Sequence, residues 1–252
     1  MWYIDIVREG VVVRIFQKGF HYSQDGPGNR LIYHLQGCNL RCPWCANPEG
    51  LLLDGGTEYT VEELVAEAKR SRMMFFDGGG VTLTGGEVTM QFEETKELLS
   101  RLHNEGIHTC IETNGTSPRL AELFPVLDLL IMDIKHYIPE IHKAVTNVSN
   151  DMTIRNICSA MAANQPLALR IPLIGGFNAS EYDAHHFGEL LRDLGVAGRG
   201  TVELLPYHEY GRAKYDTMNM PYTMTDKAKV TSEQVINYSK KLEQYGLTVI
   251  KT

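Results

Sequence analysis

Short apolar runs and longer amphipathic stretches alternate along this chain. Six runs of four to six residues are rich in Leu, Ile and Val, a composition and length typical of buried strands. A seventh, shorter run follows the last amphipathic stretch. The predicted strands are Leu31–Leu35, Val81–Thr84, Ile107–Glu112, Leu129–Ile134, Leu167–Ile171 and Thr201–Leu205, with a short last strand at Leu247–Ile250.

The stretches between these runs place apolar residues three and four positions apart, which predicts amphipathic helices. Thr60 with Glu63 has the form of a capping box, and Ser180 with Asp183 and Ser232 also suit helix starts. Glycines stand where a left-handed residue commonly ends a helix, at Gly106, Gly195 and Gly246. The predicted helices lie near Thr60–Arg72, Gln91–Asn104, Pro118–Phe124, Thr153–Asn164, Ser180–Leu194 and Ser232–Tyr245.

Repeated alternation of strand and helix implies parallel strands joined by crossover helices. We therefore expect an α/β fold, a partial TIM-like (β/α)6 barrel with parallel strands and its active site at their C-terminal ends. A doubly wound sheet has the same alternation, and spacing alone does not decide between them. No linker or repeat divides the sequence. We expect one domain over residues 1–252, with an N-terminal extension over about 1–24 and a core over about 25–252.

Polar or glycine-rich segments follow the predicted strands. Because the carboxyl ends of parallel strands meet at one face, we expect these segments to form one site. They are Cys38-Asn39-Leu40-Arg41-Cys42, Gly85-Gly86-Glu87, Glu112-Thr113-Asn114-Gly115, Asp133 with Lys135, Arg170, and Pro206-Tyr207-His208.

Composition excludes several classes of protein. The 252 residues are 43% hydrophobic and 22% charged, which argues against a disordered or fibrous chain. The net charge of −7 argues against a general nucleic-acid surface. The apolar stretch from Leu123 to Ile134 is too short and too charged to span a membrane. Asp5, Arg8 and Glu9 interrupt the apolar N-terminus, so we expect no signal peptide and a cytoplasmic location.

Three of the five cysteines lie within eight residues, at Cys38, Cys42 and Cys45. Such a thiol cluster in a reducing compartment indicates a soft-metal site. Zinc commonly takes four ligands, and His34 is the nearest candidate for a fourth, although it lies in a predicted strand. A four-iron cluster held by three thiolates keeps one iron open for a small molecule. The spacing of the cysteines alone does not decide between a zinc site and a four-iron cluster.

The motif Cys38-x3-Cys42-x-Trp44-Cys45 resembles the signature of the radical S-adenosylmethionine (SAM) superfamily. That resemblance implies a [4Fe-4S] cluster whose open iron binds the amino and carboxylate groups of SAM. One-electron reduction of SAM in that superfamily gives methionine and a 5′-deoxyadenosyl radical that abstracts hydrogen. The cofactor carries the difficult chemistry, and the protein positions it.

Further motifs resemble the activating enzymes of glycyl radical enzymes, most closely the pyruvate formate-lyase-activating subgroup. The likeness keeps the order of motifs and spans about residues 15 to 250. Asn47 to Thr60 contains no cysteine, so we expect the short form without a ferredoxin-like insert. The motifs are Asp25-Gly26-Pro27-Gly28-Asn29-Arg30, Gly78-Gly79-Gly80-Val81-Thr82, Gly85-Gly86-Glu87, Glu112-Thr113-Asn114-Gly115, Asp133-Ile134-Lys135 and Leu204-Leu205-Pro206-Tyr207-His208-Glu209.

The resemblance implies roles for individual residues. Cys38, Cys42 and Cys45 would ligate the cluster. The SAM-binding residues would be Trp44, Gly85, Gly86, Glu87, Glu112, Asp133, Lys135 and His208. Glu112 and Asp133 would also hold a monovalent cation, although Glu112 stands where the family commonly has aspartate. Asp25, Arg170 and His208 would position the incoming glycine loop.

Structural roles compete with these assignments. Glu112 with Lys135 would then be an ion pair, Arg170 a charge paired inside the barrel, and Asp25 a turn residue. We expect Cys110 and Cys158 to be buried apolar thiols. We expect His185 and His186 to lie on a solvated helix face, whereas Tyr215 to Met224 suits either core packing or a mobile loop.

The sequence thus predicts an iron–sulfur enzyme that activates a large glycyl radical enzyme by taking hydrogen from a glycine Cα. The resemblance implies reduced flavodoxin or ferredoxin as electron donor, and we expect a monomer with no nucleic-acid or membrane partner. Two alternatives remain open from the residues. One is a radical SAM enzyme acting on a small molecule such as a purine precursor, and the other is a structural zinc or electron-transfer module.

Overall fold

A nine-stranded sheet forms the centre of the protein in a computed structural model that describes residues 10–251. The spatial strand order is β3-β1-β2-β4-β5-β6-β7-β8-β9, and the pairings from β2 through β9 are all parallel. β1 pairs antiparallel with β2 and β3. The strands are β1 (Val12–Tyr22), β2 (Asn29–Leu35), β3 (Thr57–Thr60), β4 (Gly80–Gly85), β5 (Thr109–Thr113), β6 (Leu129–Asp133), β7 (Leu167–Leu173), β8 (Thr201–Pro206) and β9 (Thr248–Ile250).

Helices connect the parallel strands and pack on the outside of the sheet. The main apolar core lies between the two layers and contains outward strand residues such as Leu83 and Ile111 with helical residues such as Leu98 and Phe187. This layering is that of a TIM-like barrel. The α-helices within residues 10–251 are α1 (Val61–Arg70), α2 (Phe92–Asn104), α3 (Pro139–Thr146), α4 (Asp151–Ala162), α5 (Glu181–Asp193), α6 (Arg212–Thr217) and α7 (Ser232–Glu243).

The inward face of the sheet is mostly polar. Cys110, Ile131 and Ala168 form a small apolar cluster there. Next to this cluster along the same strands, Arg170 and Glu203 occupy paired inward positions on β7 and β8. Because side chains alternate along a strand, the inward polar residues share one cavity while their neighbours fill the outer core.

The predicted parallel α/β barrel architecture is confirmed, and all seven predicted strands are present. The strand boundaries shift by at most two residues. The predicted helix near Pro118–Phe124 is instead a 3₁₀ stretch over Leu120–Val126, with Pro125 inside it. The sequence interpretation missed β1, β3, α3 and α6. Within the predicted N-terminal extension, residues 12–22 form a full strand of the sheet.

Helix ends follow the predicted chemistry with one correction. Thr60 with Glu63 and Ser180 with Asp183 both form capping boxes. Thr231, and not Ser232, is the N-cap of α7, because its side chain accepts a hydrogen bond from the backbone of Gln234. The glycines predicted at helix ends all have positive φ: Gly106, Gly195 and Gly246.

Within residues 10–251, no helix combines the length and apolar character required to cross a membrane. The interruption of the N-terminus by Asp5, Arg8 and Glu9 lies outside the described residues.

Candidate active site

The three clustered cysteines lie together at the carboxyl end of β2. Cys38 and Cys42 pack with Leu40 and Leu51, and Cys45 borders the same cluster. All three are free of disulfides. Burial raises the pKa of Cys38 and Cys42 to about 12 and also raises that of Cys45, while the Lys135 ammonium opposes this shift. A metal ion would stabilise the thiolates against that cost of burial.

The cysteines border a cavity of about 340 Å³ at the C-terminal face of the sheet. Segments following each of the six predicted strands contribute to its wall, as the sequence predicts. The residues with predicted roles that line it are Asp25, Cys38, Cys42, Trp44, Cys45, Gly85, Gly86, Glu112, Asp133, Lys135, Arg170 and His208.

Arg170 lies at the centre of a buried ion network. Its Nε donates to Glu203 Oε2 at 2.7 Å, and one terminal nitrogen pairs with Glu112 Oε1. The other donates to the carbonyl of Gln24, in the turn between β1 and β2. Burial raises the pKa of Glu112, an effect that the Arg170 guanidinium opposes. Arg170 therefore neutralises two buried carboxylates and anchors the turn that carries Asp25.

Asp133 and Lys135 form a second ion pair on the same face. The Lys135 ammonium lies 2.7 Å from Asp133 Oδ2, and the lysine is buried. Glu112 pairs with Arg170 and not with Lys135, so the alternative of a Glu112–Lys135 ion pair is wrong. Each carboxylate of the predicted cation site thus has a cation of the protein beside it.

Asp25 reaches the cavity from the β1–β2 turn. Its backbone carbonyl accepts a hydrogen bond from Thr82 Oγ1, and its Oδ2 lies 2.5 Å from His21 Nδ1. His34 lies nearby on β2, with its ring centroid 6.0 Å from that of His21. Both ring nitrogens of His34 are buried without a hydrogen-bond partner among the described residues, and His34 is not among the residues that line the cavity beside the cysteines.

The glycine motif after β4 is constrained by backbone packing. A Cβ on Gly85 would come within 2.4 Å of the Leu35 nitrogen, and one on Gly86 within 2.2 Å of the Gly37 carbonyl oxygen. Both glycines line the cavity, so they serve close packing there whether or not a ligand contacts them.

Glu87 lies behind the cavity wall. Its carboxylate accepts hydrogen bonds from Thr113 Oγ1 and the Asn114 nitrogen, at 2.7 and 2.8 Å, and from Thr89. The side chain is buried and ties the end of β4 to the end of β5. Its direct contact with SAM stays a prediction.

Trp44 and His208 lie on the remaining wall. The Trp44 ring packs against Phe177 at 5.2 Å, and His208 stacks on Tyr210 at 4.1 Å between centroids. Burial lowers the pKa of His208. Tyr215 is buried beside the cysteines, so the segment from Tyr215 to Met224 begins as core packing, although residues 216–224 are exposed or half-buried.

Sequence reasoning missed Glu203, Thr84 and His21. Thr84 Oγ1 donates to Glu112 Oε2 at 2.7 Å, and Glu203 binds Arg170. The alternation of the sixth predicted strand places Glu203 inward, which is the signal that could have found it. Cys110 is buried as predicted, but Cys158 is exposed because it lies off the buried face of α4, so that prediction was wrong.

The donor set fits a [4Fe-4S] cluster with one open iron better than a closed zinc site. Three unbonded thiols border one cavity, and His34, the candidate fourth ligand, does not line it. The cavity beside them has room for a small molecule.

Comparison with known proteins agrees with this geometry. Residues 32–187 match the Radical SAM superfamily. The chain is 37% identical over 231 residues to pyruvate formate-lyase 1-activating enzyme of Escherichia coli (strain K12), covering 90% of this chain and 93% of that protein. It is 33% identical over 228 residues to pyruvate formate-lyase-activating enzyme of Streptococcus mutans, covering 86% of each.

A solved structure also matches the fold. The crystal structure of a domain of pyruvate-formate lyase-activating enzyme from Bacteroides vulgatus superposes with a TM-score of 0.56 at 27% identity, covering 69% of this chain and 99% of that one. Together with the sequence matches, this shows that the chain belongs to the radical SAM superfamily and, within it, to the glycyl-radical-enzyme activating enzymes.

Proposed function

We propose that this chain is an iron–sulfur enzyme that installs a glycyl radical on a large partner enzyme. The observation that carries the proposal is the group of three unbonded cysteines at the mouth of a barrel cavity. The relatives that match over most of the chain are activating enzymes of this kind.

Cys38, Cys42 and Cys45 are the proposed ligands of three irons. When bound, a [4Fe-4S] cluster supplies the electron that cleaves SAM to methionine and the 5′-deoxyadenosyl radical, which takes hydrogen from the glycine Cα. The chain's own contribution is to hold the thiolates in a buried loop and to keep water out. Lys135 places a positive charge near these thiols and favours their ionised form.

SAM would occupy the cavity beside the cysteines. Trp44 presents an aromatic face suited to adenine, and His208 lies across the same cavity. The Asp133 carboxylate and Lys135 ammonium offer opposite charges that match the amino and carboxylate groups of methionine. Gly85 and Gly86 leave backbone groups accessible at the wall.

The target glycine segment would meet Asp25. His21 orients the Asp25 carboxylate, and the side chain is 17% exposed toward the cavity. A carboxylate oxygen there can accept a backbone N–H of an extended peptide. Each of the three guanidinium nitrogens of Arg170 already donates a hydrogen bond within the chain, one of them to the carbonyl of Gln24. We therefore assign Arg170 a positioning role through the Gln24–Asp25 turn.

We include a monovalent cation between Glu112 and Asp133 in the proposal as a separately testable part. Arg170 and Lys135 already neutralise these carboxylates, so charge balance alone does not require the cation. Replacing potassium and sodium in the buffer by the larger tetramethylammonium ion tests this directly. If the site needs a small monovalent cation, activity should fall in that buffer.

The proposed electron donor is reduced flavodoxin or ferredoxin, in an anaerobic cytoplasm. The enzyme is proposed to act as a monomer, which leaves the cavity mouth free for the larger partner. The partner must release its glycine segment by local unfolding, since a folded domain does not enter a cavity of about 340 Å³.

The test is anaerobic reconstitution with iron and sulfide, followed by SAM, a reductant and pyruvate formate-lyase, the enzyme that the relatives are named for activating. Electron paramagnetic resonance should show an organic radical on the partner, with one 5′-deoxyadenosine formed per radical. Cys42→Ala should abolish both signals. Cys158→Ala is the matched control and should leave them unchanged, because that thiol is exposed on α4.

The outcomes separate the alternatives. Deoxyadenosine release that is stimulated by a metabolite, without a protein radical, would favour a small-molecule radical SAM enzyme. About one zinc and no iron after anaerobic purification would favour the structural module. Either result would refute the activating function.

A further inference from the structure

Three side chains of α5 bring potential metal-ligand atoms together, away from the cavity. His185 Nε2 lies 3.5 Å from Glu189 Oε2, and His186 Nδ1 lies 3.3 Å from the same oxygen. The three ligand atoms all lie within 4.8 Å of one another. N–H···O hydrogen bonds in proteins are about 2.7–3.2 Å long, so both contacts lie just beyond that range.

These separations match the edge of a tetrahedral coordination shell. Zinc–ligand bonds to imidazole nitrogen and carboxylate oxygen are about 2.0–2.2 Å. In a tetrahedral shell the distance between two ligand atoms is about 1.63 times the metal–ligand bond length. Neighbouring ligand atoms therefore lie about 3.3–3.6 Å apart. The two measured separations, 3.3 and 3.5 Å, fall within this interval.

A second layer of contacts orients His185. The hydroxyl of Tyr245, just after α7, is hydrogen-bonded to His185 Nδ1. A Cβ at position 188 would come within 2.2 Å of the Tyr245 ring, so Gly188 makes this approach possible. A hydrogen bond at one imidazole nitrogen fixes the tautomer and leaves the other nitrogen free to bind metal.

His186 is held between aromatic rings. Tyr182 meets it edge-on at 4.2 Å, and Tyr137 packs at 5.3 Å between centroids. Its Nε2 is buried without a hydrogen-bond partner among the described residues. Nδ1 is the ring nitrogen that lies beside Glu189, so it is the one placed to share a metal ion with that carboxylate.

We propose that His185, His186 and Glu189 form a binding site for one divalent transition-metal ion of the zinc class. Two imidazole nitrogens and a carboxylate oxygen suit such an ion, with water completing the shell. All three ligands lie on α5, and the ion would fix the His185 ring in the orientation that hydrogen-bonds Tyr245, which reinforces the packing of α7 on α5. This site does not depend on the proposed radical chemistry.

The experiment uses the untagged holoenzyme, with its iron–sulfur cluster loaded, under anaerobic conditions. Zinc chloride is titrated by calorimetry, with iron content and cluster absorbance followed in parallel. We expect one zinc per chain and a higher midpoint of thermal unfolding. Tyr245→Phe keeps the ring and should weaken zinc binding roughly 10-fold or more, and Glu189→Gln should weaken it further.

His103→Ala is the control, because His103 is an exposed histidine on α2 and should not affect zinc binding. The proposal is overturned if the wild type takes up no zinc, or if Glu189→Gln and His185→Ala bind it with wild-type affinity. Circular dichroism of the zinc-free variants separates loss of binding from loss of folding. Activation of the partner enzyme is not the readout, so failure of the proposed function leaves this test intact.

Discussion

Replacing His34 with phenylalanine is expected to remove a pH-dependent part of the protein's stability. The imidazole is 7% exposed, and neither nitrogen has a hydrogen-bond partner among the described residues. Burial lowers the pKa of His34 from 6.5 to about 4. The folded protein therefore resists protonation at His34, whereas the unfolded chain accepts a proton below about pH 6.5. Stability is lost as the pH falls through this interval.

The magnitude follows from proton linkage. At pH 7.5, neither state is appreciably protonated at His34, so its contribution to the pH dependence is near zero. At pH 5.5, the unfolded state gains about 1.4 kcal/mol from protonation and the folded state gains almost nothing. The stability of the wild type relative to His34→Phe should therefore fall by about 1.4 kcal/mol between these two pH values.

At pH 7.5, the variant should be at least as stable as the wild type. A buried polar group without a partner costs about 1–3 kcal/mol. The Phe16 ring, 5.5 Å from that of His34, offers an aromatic neighbour for the new side chain.

The assay is urea unfolding followed by circular dichroism, on both proteins prepared identically, at pH 7.5 and pH 5.5. Histidines remote from position 34 titrate equally in both proteins, so their effects cancel in the difference. The reasoning is refuted if the difference in unfolding free energy between the wild type and the variant is the same at both pH values, within about 0.3 kcal/mol. The imidazole would then be hydrated or hydrogen-bonded in solution.

Two further substitutions test the packing of the site. Arg170→Met leaves two buried glutamates without a counter-ion and should cost about 3–5 kcal/mol in urea unfolding. Arg192→Met removes an exposed ion pair and should change the free energy of unfolding little. An equally small loss for Arg170→Met would show that the Arg170 ion pairs do not stabilise the fold. Gly86→Ala places a Cβ 2.2 Å from a carbonyl oxygen and should cost about 2 kcal/mol or more by thermal unfolding. Gly19→Ala is the control, because the new Cβ would have no atom of a non-neighbouring residue within 4 Å, and its thermal stability should be close to that of the wild type. Equal losses of stability in the two variants would refute the steric argument.

The parallel strands were predictable because each is a short apolar run set between helices with clear ends. β1 and β3 were missed because they lie outside that alternation. The run Val12–Tyr22 is rich in β-branched and aromatic residues, but it is an antiparallel neighbour of β2 and has no crossover helix. α3 begins at Pro139 with Glu140 in its first turn, a start signal that the sequence interpretation did not use.

The location of the site was predictable, but the pairing of its charges was not. Strand order places Asp133, Arg170 and Glu203 side by side, yet Arg170 pairs with Glu203 and reaches past β6 to Glu112. Lys135 donates a hydrogen bond to Asp133, two residues before it on the same segment. Such choices depend on side-chain length and on the curvature of the sheet, which periodicity along one strand does not contain.

The exposed thiol of Cys158 gives this enzyme a natural attachment point for a spectroscopic label. In the iron-loaded protein Cys38, Cys42 and Cys45 would be held by the cluster, and Cys110 is buried, so a nitroxide reagent should react first at Cys158 on α4. Magnetic coupling between that nitroxide and an unpaired electron on the partner would then measure the distance from α4 to the radical in the complex, with no residue of the chain substituted.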